Sequence, residues 1–143
     1  MKQKNKIIIG CILGVIIITS SIFIYKKIKV KKLFNIKQIT WSGEQKEWND
    51  NSRNNLYDIK FGELSGSDTK EVITLKDDFE MNIDSKVEGD DFTLKIYTNE
   101  NILYLSNNNV IKDVIEISKE KNNDIKIEIS GEKAKGHVKI KFK

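Results

Sequence analysis

The sequence predicts an all-β domain, an antiparallel β-sandwich of about eight or nine strands, preceded by a single N-terminal transmembrane helix. Three observations predict it. Apolar residues alternate with polar ones at period two in five separate stretches. From residue 33 onward there are fourteen isoleucines and a single alanine, Ala134, so β-branched residues far outweigh the best helix former. Ahead of all this, Ile7 to Tyr25 runs 19 residues without a charge.

The uncharged run comes first in the chain. At about 1.5 Å per residue a helix of that length spans roughly 28 Å, close to the roughly 30 Å hydrocarbon thickness of a bilayer. Lys2, Lys4 and Lys6 precede it, and Lys26, Lys27, Lys29, Lys31 and Lys32 follow. Tyr25 stands at the boundary, where an amphipathic ring is favoured. A buried core helix would not carry ammonium groups at both ends of an uncharged stretch, so the lipid bilayer is the expected partner. Three readings of the segment compete. An uncleaved anchor is favoured. A signal peptide cleaved near Thr19 and Ser21 is opposed by Ile22 to Tyr25, which continue the apolar run. A lipoprotein acylated on Cys11 is opposed by the few apolar residues before that cysteine. Lys26 to Lys32 also suits anionic head groups, at about 1 kcal/mol per lysine near the surface, although a stop-transfer flank explains them.

Orientation follows from two opposed signals. More lysines follow the apolar run than precede it, which favours a cytoplasmic domain. A short basic start running at once into an apolar segment is the pattern of a signal anchor, and the domain has no cysteine, which suits an oxidising exterior. The second signal is preferred, so the expected location is the cytoplasmic membrane, single-pass, with the C-terminal domain outside.

The organisation expected is a basic tail over 1–6, a transmembrane helix over 7–25, a basic linker over 26–35 and a sandwich over 36–143. Charge divides the same way. Residues 1–32 hold eight lysines and no acid, while residues 33–143 hold 17 basic and 21 acidic residues, a net −4. The basic excess belongs to the tail, which excludes a nucleic-acid module of the usual kind and with it a nucleic-acid partner. One Cys and one His exclude a multi-ligand zinc site and an internal disulfide.

The strands expected with regular alternation centre on Tyr57, Ile59 and Phe61; on Phe79, Met81 and Ile83; on Phe92, Leu94 and Ile96; on Ile125, Ile127 and Ile129; and on Val138, Ile140 and Phe142. Less regular ones are expected at Ile36 to Ser42, Glu71 to Leu75, Ile102 to Leu105 and Val114 to Ile117. Turns are expected at Ser65-Gly66-Ser67, Glu88-Gly89-Asp90, Asn107-Asn108-Asn109, Lys121-Asn122-Asn123 and Gly131 to Gly136. Two of these define hairpins. The first places Val87 opposite Phe92 and Ile83 opposite Ile96. The second places Ile129, Ile127 and Ile125 opposite Val138, Ile140 and Phe142, with Glu128 opposite Lys139. Glu44 to Asn55 carries no assignment. A sandwich is favoured over a small closed barrel, because a single open sheet cannot cover so many one-sided strands.

The chemistry legible in the sequence is sparse. There is no phosphate loop, dinucleotide fingerprint or zinc-hydrolase pattern, and His137 with no accompanying nucleophile is not a triad. His137 is expected on the surface beside Lys139, Lys141 and Lys143. Asp77-Asp78, Asp90-Asp91 and Asn122-Asn123-Asp124 lack EF-hand spacing, and turns favour Asp and Asn for backbone reasons; no metal and no cofactor is expected. The candidate ligand-binding residues are Trp41 and Trp48, whose rings suit stacking on sugars or closing one end of the domain, and Lys139 and Lys141, whose stripe suits an anionic envelope polymer.

The layout, together with a C-terminal stretch reading ISGEKAKGHVKIKF, resembles small membrane-anchored or secreted β-rich proteins of low-GC Gram-positive bacteria. That resemblance implies no activity, and no functional residue is carried over from it. The function expected is a membrane-tethered binding or interaction module with a cell-envelope protein or polymer as partner. The alternative is an enzyme or enzyme inhibitor presented from the membrane, which would need a pocket of converging polar groups.

Overall fold

A computed structural model describes residues 34–118 and 124–143. The apolar run, the lysines around it, Tyr25 and the Lys121-Asn122-Asn123 turn lie outside the described residues. Seven strands follow: β1 (Phe34–Lys46), β2 (Asn49–Asp50), β3 (Leu56–Thr74), β4 (Phe79–Tyr97), β5 (Ile102–Ser106), β6 (Val110–Ile117) and β7 (Ile125–Phe142). Strand β1 begins at Phe34, two residues inside the stretch assigned to the linker. All pairings are antiparallel. The order is β1-β3-β7-β4-β5, with β2 paired to β3 and β6 to β4.

β3 and β4 are 19 residues long and β7 is 18, about three times the usual strand length. Each breaks register near its middle: β3 between Phe61 and Gly66, β4 between Glu88 and Thr93, and β7 opposite both. Extra residues at such bulges bend and twist a strand. The three breaks lie side by side and fold the sheet across its middle into two facing layers. The first layer holds 56–61 of β3, 136–142 of β7 and 79–88 of β4, with β2 and β6 at its edges. The second holds 64–74 of β3, 125–134 of β7 and 93–97 of β4, with β1 and β5 at its edges.

Ring contacts show the layers meeting. Phe34 of the second layer lies 5.1 Å from Phe79 and 5.2 Å from Phe142, both of the first. The core between the layers takes every apolar residue that alternation assigned inward, from Tyr57, Ile59 and Phe61 to Val138, Ile140 and Phe142. Burying each of these aliphatic or aromatic side chains stabilises the fold by roughly 1.5–3 kcal/mol.

The all-β, antiparallel, sandwich-like architecture is as expected, but three of the expected turns are not turns. Ser65-Gly66-Ser67, Glu88-Gly89-Asp90 and Gly131 to Gly136 lie within β3, β4 and β7 at the fold line. Both hairpin registers are therefore corrected. Val87 pairs with Gly136, and Ile83 with Ile140. Ile129 lies between Asp68 and Leu94, and Ile127 between Lys70 and Ile96. Lys139 lies between Asp58 and Asp84 rather than opposite Glu128. The physical reason is backbone pairing. A two-strand hairpin gives each half of β7 one neighbour, whereas the bent strand gives each half two, satisfying its N–H and C=O groups on both edges. Six of the nine expected strands merge in pairs into β3, β4 and β7, and the unassigned Glu44 to Asn55 supplies the end of β1, the crossing between layers and β2.

Candidate functional site

The outer face of the first layer is built in rows by the register. One row runs Asp58, Lys139, Asp84, Lys112 across β3, β7, β4 and β6, and the next runs Leu56, Lys141, Asn82, Val114. Period-two alternation puts Val138, Ile140 and Phe142 in the core and so turns Lys139 and Lys141 outward. Here lies an open depression of about 710 Å³, lined by Asn82, Asp84, Lys112, Asp113, Lys139, Lys141 and Lys143 among others. Its four lysines share this face with Asp84, whereas Asp113 pairs with the inward Ile83 and acts on the Tyr104 hydroxyl.

Asp58 Oδ1 lies 2.5 Å from His137 Nε2. Among the described residues, Lys112, Lys139 and Lys141 have no partner within ion-pairing distance. Lys143 Nζ lies 3.5 Å from Glu80 Oε1 and 3.3 Å from Asn82 Oδ1. The Asn82 amide, followed by Lys143, holds the Glu80 carboxyl below its usual range. Beyond Lys143 a second depression of about 600 Å³ continues past Glu80 and Glu116.

The two tryptophans part company. Trp48 stacks on Phe61 at 5.8 Å and packs against the core, so it anchors the crossing from β1 to β2. Trp41 is 62% exposed on β1, opposite Asp68 of β3. It does not line the lysine depression, so the four candidates do not form one site.

A buried polar cluster was not anticipated. Lys70 and Asp68 face the interior of the second layer, each with a side chain only 3% exposed. Lys70 Nζ donates to Asp50 Oδ2 at 2.7 Å and to Gln38 Oε1, and lies 3.7 Å from Asp68 Oδ2. Gln38 Nε2 donates to Asp68 Oδ1 at 2.8 Å. Two buried atoms here, Tyr57 OH and Asp68 Oδ2, have no hydrogen-bond partner. Burial pushes the Asp68 carboxyl up against the opposing pull of Lys70 and Gln38. Burial, then Asp68 and Asp50, push the Tyr57 hydroxyl well up. Burial also works on Asp50, but bonds from Lys70 and Ser52 outweigh it and hold that carboxyl low. The signal was present in the sequence: Asp68 and Lys70 share parity with Leu64 and Val72. Among the described residues no three of His, Cys, Asp or Glu converge as metal ligands.

No family model matches the chain, and no curated protein matches it. Among solved structures it is similar to the CBM36-1 domain of a multidomain xylanase from the hindgut metagenome of Trinervitermes trinervoides, at 10% identity and TM-score 0.40, over 75% of this chain and 95% of that one. It is also similar to a family 29 carbohydrate-binding module, at 11% identity and TM-score 0.36, over 76% and 84%. A CBM4 structure gives 7% identity and TM-score 0.35, over 76% and 82%.

Proposed function

We propose that this chain is a membrane-tethered binding module, displayed outside the cytoplasmic membrane, whose lysine depression takes an anionic cell-envelope polymer. The observation that carries the reading is the set of unpaired ammonium groups of Lys112, Lys139 and Lys141 over one depression of about 710 Å³. Lysines on a net-acidic domain are ordinarily drawn to their carboxylate neighbours. Here Asp58 is engaged by His137, and the ammonium groups stay available to a polyanion. The uncharged run with lysines at both ends supports tethering. The module acts by binding rather than by catalysis.

The test uses the full chain in nanodiscs of zwitterionic lipid, with linear poly(glycerol phosphate) as probe. Binding is expected, weakening steeply as salt screens the contacts, and the double variant Lys139→Met with Lys141→Met should bind about tenfold more weakly. Equal binding of an uncharged polymer, or an unaffected double variant, overturns the reading. Protease added to intact spheroplasts should digest the domain; survival until lysis overturns its display outside.

A further inference from the structure

We infer that the edge formed by β1 and β2 is a second binding site, distinct from the lysine depression, and that it takes a neutral polyhydroxylated ring, a sugar unit. Antiparallel partners share a face, with Cβ atoms roughly 4.5–5.5 Å apart. The register pairs Trp41 with Asp68, so the exposed tryptophan is the cross-strand neighbour of the buried aspartate. Trp41 is 62% exposed, on the face of β1 that turns toward the first layer. That layer's edge here is β2, only two residues long, and it leaves the indole uncovered.

The chemistry of the cluster selects the ligand. Asp68 Oδ2 and Tyr57 OH are buried without a hydrogen-bond partner, Oδ2 keeping only the Lys70 ammonium at 3.7 Å, and leaving buried polar atoms without hydrogen bonds is costly. When ionised, a carboxylate oxygen only accepts, and the Tyr57 hydroxyl has a proton to donate. One group that both donates and accepts satisfies the pair, and a sugar hydroxyl does so. A phosphate or carboxylate ligand does not, because Asp68 and Asp50 against Lys70 leave the cluster net negative. An ammonium ligand accepts nothing from Tyr57. The C–H face of a sugar ring then lies against the Trp41 indole. The way in passes Gln38, an exposed residue whose amide now donates to Asp68 Oδ1 at 2.8 Å; the entering hydroxyl takes its place. Asp50 Oδ2 stands at the other side, with its side chain 32% exposed.

The test is an NMR titration of the full chain in neutral nanodiscs, following the two tryptophan indole N–H resonances. The probes are the trisaccharide of N-acetylglucosamine and maltotriose. The Trp41 resonance should shift saturably with at least one probe while that of Trp48 stays put. Trp41→Ala should weaken binding at least tenfold. Tyr57→Phe removes only the unpartnered hydroxyl; it should fold normally and bind several-fold more weakly. The Lys139→Met, Lys141→Met double variant should bind the trisaccharide as the parent does, which separates this site from the polymer-binding reading. If neither probe moves the Trp41 resonance, or if Tyr57→Phe binds both unchanged, the cluster holds a water alone and the inference falls.

Discussion

Asp50 of β2 accepts a hydrogen bond from Lys70 of β3 at 2.7 Å, and this bond joins the two layers at their β1–β2 edge. The Lys70 side chain is only 3% exposed. Removing its partner leaves a buried charge with fewer acceptors, which costs far more than removing an exposed pair. Asp50→Ala should therefore lower stability by about 1–3 kcal/mol. Asp58→Ala, which frees a half-exposed His137, should cost below about 1 kcal/mol. Urea unfolding of both variants checks the contrast, and equal losses would mean that the Lys70 bridge is not a structural tie.

The same cluster gives stability a pH dependence of definite sign. Asp68 is raised by burial, so the folded chain takes up its proton at higher pH than the unfolded chain. Its contribution is fully present below the unfolded value, about 4, and is lost as pH rises through the folded value. Asp50 is lowered, so its contribution is present above its unfolded value and is lost as pH falls through the folded one. The stability of the parent relative to Asp68→Asn should therefore increase as pH falls from 7 toward the unfolded value of about 4. A difference that stays constant or shrinks over that window would contradict the burial of Asp68.

Faces were legible in the sequence, and connections were not. Alternation identified Ile83, Ile127 and Ile140 as inward without knowing their neighbours, because the side-chain period of a strand is local. Gly66, Gly89 and Gly136 punctuate that alternation as a hairpin turn would. A mid-strand bulge uses the same residues, and the choice rests on which distant strands offer partners. The site divides similarly. The outward stripe of Lys139 and Lys141 follows from parity, but Lys112 joins them only through the β4–β6 pairing. Asp68 and Lys70 read as a wet face by type and as core by parity. Only Gln38 and Asp50, 30 and 20 residues away from their partners Asp68 and Lys70, make the second assignment tenable.

The fold line rests on glycines at close quarters. Gly43 of β1 pairs with Gly66 of β3. A Cβ at Gly43 would meet Ser65 O at 1.9 Å, and one at Gly66 would meet Ser42 O at 2.0 Å. Gly43 also has φ +85°, a left-handed backbone that L side chains rarely adopt. Gly43→Ala should thus destabilise the domain by about 1–3 kcal/mol. A thermal transition of Gly43→Ala at the parent's temperature would show that the strands separate here without cost.

Ile140 carries the last prediction, because it lies at the centre of the first layer. Tyr57 of β3 pairs with it on one side and Ile83 of β4 on the other, and all three are within the buried core. Ile140→Ala should cost about 2–5 kcal/mol, the range for removing most of a packed core side chain. Truncation after Gly136 is more severe. It removes six of the residues through which β3 and β4 are joined in this layer, from His137 to Phe142. Both strands then lose a line of backbone partners at once, and the isoleucines of the other half of β7 lose the layer packed over them. The chain ending at Gly136 should show no cooperative thermal transition by circular dichroism. A sharp transition would mean that β3 and β4 close on each other without β7, and that the central strand of this layer is dispensable.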